Sequence, residues 1–243
     1  MQQASLPGQG NPARGEESAL RRETMVECQI RPFDVHDKDL LARMLELPRE
    51  NFLPRELWWL ANSDAALHLN PAQPGGERRV LLPPFVLARL IQAAEAKPSD
   101  AVLDVAPGTG YSTAILAGLA GRAVAVESDS SLYKALRSNL DAVGLSKVET
   151  VLGPLHKGAP SHAPFDLILV NGAAEANLDS LFAQLKEGGR LLAFRPLSRS
   201  PGAHTGEAVR YEKIRGTIGL RPLFEASVPM LDAFRKSKEF VFA

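Results

Sequence analysis

The stretch Ala101-Val-Leu-Asp-Val-Ala-Pro-Gly-Thr-Gly110, followed by Arg122-Ala-Val-Ala-Val-Glu127, decides the fold. A short apolar run suited to a buried parallel strand stops at a glycine-rich turn, and a helical pattern follows at Tyr111-Ser-Thr-Ala-Ile-Leu-Ala117. Glycine lets a backbone approach a ligand with no Cβ in the way. The second run ends in a carboxylate, which can accept hydrogen bonds from both hydroxyls of a ribose. One strand–loop–helix–strand unit therefore supplies two halves of a nucleoside pocket.

Working outward, the pattern predicts strand 101–106, helix 110–119, strand 123–127, helix 130–142, strand 147–152, strand 165–171, helix 176–186 and strand 189–195. Alternation of this kind implies an α/β protein with a mostly parallel central sheet and helices on both faces. Glu187-Gly-Gly189 reads as a tight turn between the last helix and its strand. Segments 208–212, 223–228 and 239–242 read as further strands, an antiparallel C-terminal edge. On the N-terminal side, Asp37 caps an amphipathic helix carrying Leu40, Leu41, Met44 and Leu45, and Pro48 closes it. Pro71, Pro74, Gly75 and Gly76 mark a long loop, and Pro83-Pro84 introduces a helix over 85–94.

Composition narrows the possible partners. Lys plus Arg and Asp plus Glu both total 28, so no overall field favours nucleic acid or an anionic membrane surface. No apolar run reaches the roughly 18 residues of a membrane span. A single cysteine, Cys28, excludes an internal disulfide and a multi-cysteine zinc site and suits a reducing, cytoplasmic setting. Residues 1–24 lack a secretory h-region and are expected to be a disordered, dispensable leader, with Met25 a candidate native start. Residues 25–243 are expected to form one domain: a helical part at 25–97, a cofactor-binding core at 98–195 and C-terminal strands at 196–243.

Ligands of open α/β sheets bind at the carboxyl ends of the strands, which here brings loops 106–111, 127–131, 153–158 and 171–175 together. Ala106-x-Gly108-x-Gly110 is not the G-x-G-x-x-G of a dinucleotide loop, and Pro107 removes a backbone donor. A pyrophosphate is disfavoured. An S-adenosylmethionine-like ligand fits better, with Asp104 expected near its ammonium group and Glu127 at its ribose. Asn171 either lines this pocket or merely ends its strand.

At this point the chain resembles a family, the protein-L-isoaspartate O-methyltransferases, a branch of the S-adenosylmethionine-dependent methyltransferases. Met25-Val-Glu-Cys-Gln-Ile-Arg31 and Leu45-Glu-Leu-Pro-Arg-Glu-Asn-Phe-Leu-Pro54 are similar to the family's "MVxxQ" and "xVPRxxFVP" elements. Val102 to Tyr111 is similar to "VLEIGTGSGY", Phe165 to Ala174 to "FDAIIVTAAA", and Leu185 to Leu191 to "LKxGGRL". The resemblance implies a Rossmann-like methyltransferase fold and S-adenosyl-L-methionine as cofactor. It places Asp104, Ala106, Gly108, Gly110, Tyr111, Glu127, Ser128, Gly153, Pro154 and Asn171 around that cofactor. It also implies an isoaspartyl carboxylate on a damaged protein or peptide as methyl acceptor.

Three departures bear on this. The family's "TISAPH" element, at the methyl-accepting end, corresponds to Val80-Leu-Leu-Pro-Pro-Phe85, with Leu82 where a Ser belongs. Its "GDG" loop corresponds to Gly153-Pro154-Leu155, and Ala106 replaces the first loop glycine. Leu82, Pro83 and Arg79 are the acceptor-side candidates, while no catalytic residue is assigned because an ionised carboxylate needs no general base. Open alternatives are a methyltransferase of the same fold with another acceptor, such as a small molecule, and a scaffold that binds the cofactor without catalysis. A nicotinamide-dependent oxidoreductase is disfavoured by the loop spacing and by the lack of a Tyr-x-x-x-Lys element.

Remaining residues of reactive type carry bland readings. His36, His68, His156, His162 and His204 show no metal-ligand spacing, so no metal is expected. Trp58 and Trp59 are expected in the core rather than as an acceptor-side wall. Cys28 has no base partner and is not expected to be a nucleophile.

Overall fold

The computed structural model describes residues 12–70, 77–197 and 205–236. In chain order the regular elements are α1 (Pro12–Met25), α2 (Lys38–Glu46), β1 (Leu67–His68), β2 (Val80–Leu81), α3 (Pro84–Ala94), β3 (Ala101–Val105), α4 (Tyr111–Leu119) and β4 (Arg122–Glu127). They continue with α5 (Ser130–Ala142), β5 (Glu149–Leu152), β6 (Phe165–Ala173), α6 (Asp179–Ala183), β7 (Leu185–Pro196), β8 (Thr205–Ile214) and β9 (Thr217–Ser227). Short 3-10 turns lie between several of them.

Seven strands form one sheet in the order β5-β4-β3-β6-β7-β8-β9. The first five of that order run parallel, and β8 and β9 return antiparallel. Val102 pairs with Ala123 on one side and Leu167 on the other, so β3 sits where the strand order reverses. That reversal opens a crevice between the loops that leave β3 and β6. Alternation along each strand splits the apolar side chains into two layers. Val102, Leu167 and Leu169 point to a layer with α3, α4 and α5, whereas Leu103, Val105, Ile168 and Val170 point to the other. The second layer is covered mainly by α6 and by 3-10 turns around Leu155 and Phe234.

The fold follows the sequence expectations closely, with four corrections. Residues 12–24, expected as a disordered leader, form most of α1, and the Arg22 Nε donates to the Leu45 carbonyl at 2.6 Å. Ser18 also bonds the Glu50 carboxylate, so polar contacts as well as apolar ones dock this helix. The helix predicted over 176–186 is reduced to α6, because β7 begins already at Leu185. The expected turn at 187–189 is instead an irregularity inside β7, where Phe165 pairs with Leu185 but Leu167 pairs with Arg190. Within the long loop, Leu67–His68 pairs with Val80–Leu81, making a strap whose residues 71–76 lie outside the description. The strand expected at 239–242 also lies outside the described residues.

Elsewhere local chemistry explains the boundaries. Asp37 Oδ1 accepts from the Asp39 and Leu40 amides, both at 3.0 Å, which satisfies two of the orphan donors of α2. Asp129 does the same for α5 through Ser131 and Leu132. Pro84 takes the first position of α3, where its missing N–H costs nothing. Among the described residues no helix is long and apolar enough to cross a membrane.

Candidate cofactor site

Three of the loops expected at the crevice meet around Glu127. Its side chain is fully buried at the carboxyl end of β4. Oε1 accepts from the amides of Ser128 at 2.7 Å and Asp129 at 3.0 Å. Oε2 accepts from the Gly108 amide at 3.0 Å and from the Arg79 guanidinium. Burial pushes the Glu127 carboxyl above its ordinary range, opposed by Arg79 and by the three amides. Gly153 joins the group through its amide, which donates to the Glu127 carbonyl at 3.0 Å. Pro154 follows it, exposed.

Asp104, expected near an ammonium group, is engaged by side chains of α4 and β6. It is fully buried, and Oδ2 accepts from Ser112 Oγ at 2.7 Å and Thr113 Oγ1 at 2.6 Å. Oδ1 accepts from Asn171 Nδ2 at 2.6 Å, and the same Nδ2 lies 3.1 Å from the Val105 carbonyl. Asp104 thus ties β3 to the first turn of α4 and to β6. Burial raises its pKa to about 6, opposed by these three hydrogen bonds. Asn171 is nine-tenths buried at the switch point and is spent on this network. Ser112 and Thr113 were not singled out in the sequence, although two hydroxyls in the first turn after a glycine loop are the available signal.

The glycine loop is packed from outside by two leucines. A Cβ on Gly108, whose φ is +61°, would overlap Leu69 of the strap. One on Gly110 would fall 2.5 Å from Leu136 Cδ1 of α5. The sequence suggested ligand approach as the reason for these glycines, and close packing by Leu69 and Leu136 is a second reason. Ala106 adopts φ +60°, a left-handed conformation that costs a side-chain-bearing residue roughly 1–2 kcal/mol. Thr109 anchors the loop to the N-terminal part, donating from Oγ1 to the Phe52 carbonyl at 2.5 Å. Asn139 of α5 donates to the Thr109 carbonyl at 3.0 Å.

The acceptor-side candidates separate. Leu82 is buried in the apolar layer, and Pro83 precedes the first turn of α3. Arg79, three residues before Leu82, lies against Glu127 instead. Arg49, a residue the sequence did not flag, reaches this region from the 3-10 turn Arg49–Phe52. It is wholly buried and donates to the Ala61 carbonyl at 2.6 Å and the Leu82 carbonyl at 2.7 Å. Its guanidinium carbon lies 5.0 Å from the centroid of the buried Tyr111 ring. Trp58 and Trp59, expected in the core, are instead partly exposed on the surface, Trp59 by 70%. Trp58 keeps its indole N–H on the Leu53 carbonyl at 3.1 Å. No group of three or more potential metal ligands occurs among the described residues, and His204 lies outside them. Cys28 is exposed.

A buried carboxylate ending the second strand of the parallel core, beside a glycine loop without dinucleotide spacing, defines a nucleoside-binding α/β fold of the methyltransferase class. The comparisons specify it further. Residues 21–217 match the family described as protein-L-isoaspartate(D-aspartate) O-methyltransferase. A protein-L-isoaspartate O-methyltransferase of Methanoculleus marisnigri is 37% identical over 172 residues, covering 71% of this chain and 76% of that one. One from Methylorubrum extorquens is 37% identical over 190 residues, covering 77% and 80%. The chain belongs to the protein-L-isoaspartate O-methyltransferase family, whose members are methyltransferases that use S-adenosyl-L-methionine. Among solved structures, one protein-L-isoaspartate O-methyltransferase superimposes with TM-score 0.74 at 23% identity, covering 88% of this chain and 67% of that one. A Plasmodium falciparum protein of the same description, in complex with S-adenosyl-L-homocysteine, gives TM-score 0.71 at 17% identity, covering 87% and 98%. At these identities the two likenesses speak for the fold.

The residues present fit a nucleoside of this type. A carboxylate at the end of β4 is of the kind that accepts from ribose hydroxyls, and one of its four present donors, Arg79, is a side chain rather than loop backbone.

Proposed function

We propose that this chain transfers a methyl group from S-adenosyl-L-methionine to the carboxylate of isoaspartyl residues in damaged proteins or peptides. The observation that carries the reading is the family match over residues 21–217, with Glu127 buried at the carboxyl end of β4 against the glycine loop. Glu127 would receive a ribose hydroxyl, and Gly108, Gly110, Ser128, Gly153 and Pro154 would surround the nucleoside. Ala106 and Tyr111 belong to the same loop, with Asp104 and Asn171 holding its base in shape. When bound, the cofactor supplies a methyl group on a sulfonium, open to in-line displacement by an oxygen.

The chain's own contribution is alignment. An acceptor carboxylate has a pKa near 4 and is ionised at neutral pH, so no proton has to be removed. Holding the two reactants in line is worth roughly 7–11 kcal/mol of barrier in well-oriented systems. A cytoplasmic setting accords with the single cysteine.

A second reading, methyl transfer to another acceptor, is favoured by one observation. Leu82 stands buried where the family's acceptor-end Ser belongs, so a hydroxyl contact is replaced by an apolar one. The deciding experiment is methyl transfer from labelled cofactor to an isoaspartyl peptide, run beside Leu82→Ser. Turnover by the unsubstituted protein supports the first reading. Cofactor binding without turnover, with activity emerging in Leu82→Ser, supports the second and refutes the first.

A further inference from the structure

Glu127 has no lone pair left for a ribose. A carboxylate offers about four acceptor positions. Here Oε1 is used by the Ser128 and Asp129 amides, and Oε2 by the Gly108 amide and Arg79. Three of these donors are backbone of the loops that build the site. The fourth is a side chain from a separate strap. Resting on the cofactor reading above, the geometry points to Arg79 as a resident occupant of the nucleoside's place, holding Glu127 Oε2 until a ribose hydroxyl takes the one acceptor position it leaves.

The strap is built for this. The Arg79 side chain is 3% exposed, and its amide donates to Asn70 Oδ1 at 3.1 Å while Asn70 Nδ2 donates to the Glu77 carbonyl at 2.9 Å. The Leu69 amide donates to the Arg79 carbonyl at 2.9 Å, and Leu69 covers Gly108. One short hairpin thus places an arginine on the carboxylate and a leucine on the loop glycine. A second carboxylate is already in place, since Glu77 Oε2 lies 3.2 Å from Arg79 Nη1. Glu77 is itself fixed by the Asp232 amide at 2.6 Å and remains partly open to solvent. On leaving Glu127 the guanidinium keeps a counter-ion, so the exchange does not strand a buried charge.

Arg79 consequently sets cofactor affinity without contacting the reacting atoms; it acts through Glu127. A ligand that needs a minor, unlatched state binds more weakly by the fraction of molecules in that state. Removing the latch tightens binding by the inverse of that fraction. The test is calorimetric titration of S-adenosyl-L-homocysteine into the unsubstituted protein, Arg79→Met and Glu127→Gln, with a thermal melt of each. Arg79→Met should bind about tenfold tighter or more while melting no higher, if one molecule in ten or fewer is unlatched. A purely structural arginine would lower the melting temperature and leave affinity unchanged or weaker, and that result overturns the inference. Glu127→Gln tests the cofactor reading separately and should weaken binding. Binding by the unsubstituted protein with no tightening in Arg79→Met refutes the latch alone, whereas binding by none of the three refutes both. If Arg79→Met does not fold, a structure of the unsubstituted protein with S-adenosyl-L-homocysteine decides. The guanidinium on Glu77 and off Glu127 supports the latch, and the guanidinium still on Glu127 overturns it.

Discussion

Replacing Asp104 by asparagine removes a buried charge while keeping the side chain's shape, and the outcome depends on pH in a direction the structure dictates. Asp104 is fully buried, and burial lifts its pKa from 3.8 to about 6. A carboxyl whose folded pKa is raised stabilises the folded state fully below its unfolded value, and that stability is lost as pH rises through the folded value. Here the window runs from 3.8 to about 6. A gap of roughly two units corresponds to roughly 3 kcal/mol. For a chain of this size that is about 6–12 °C in melting temperature. Asn171 can still donate to the remaining oxygen, and the Ser112 and Thr113 hydroxyls can turn to accept from the new amide, so the network stays satisfied. The measurement is the melting temperature of Asp104→Asn minus that of the unsubstituted protein, at pH 4 and at pH 7. The difference should rise by about 6–12 °C between them. Taking the difference cancels groups such as Asp129 and Asp166, whose pKa values are lowered and whose linkage runs the other way. A flat or falling difference would refute the argument that burial dominates at Asp104.

Two further substitutions probe the glycine loop. Ala106→Gly should raise stability by up to about 1 kcal/mol, because glycine adopts the φ of +60° without the side-chain penalty; a loss beyond about 0.5 kcal/mol in chemical denaturation would contradict the strain. Gly108→Ala should cost about 1–3 kcal/mol by overlapping Leu69, and less in a Leu69→Ala background. A double-mutant cycle should then show a coupling of at least about 0.5 kcal/mol, and additivity would show that Leu69 does not limit the loop.

How much of the site was legible depended on sequence distance. Glu127 and the 106–110 loop were readable because strand, turn and strand are consecutive, and burial at a strand end restricts what a carboxylate can do there. Asp104 is legible as a residue of the loop's base, but its protein partners are not. Its hydroxyl donors come from the next helical turn and its amide donor from β6, so competition for its oxygens is settled only when β3 and β6 pair. Arg79 was placed at the acceptor end from its neighbours in the chain, yet its side chain reaches a carboxylate 48 residues away. Trp58 and Trp59 were assigned to the core on residue type, but the 3-10 geometry of Arg55–Leu60 turns them outward.

The sequence by itself determined the α/β class, the alternation of strands and helices along the parallel core and the family, and it singled out Glu127 at the end of β4, since each rests on local periodicity or a contiguous motif. The tertiary structure alone decided which groups those residues face: that α1 docks on the N-terminal part, that Asp104 is spent on holding the loop, and that Arg79 occupies Glu127. The physical reason is that hydrogen bonds and ion pairs between buried groups are allotted among whatever the packed chain brings within reach, and sequence spacing does not record that competition.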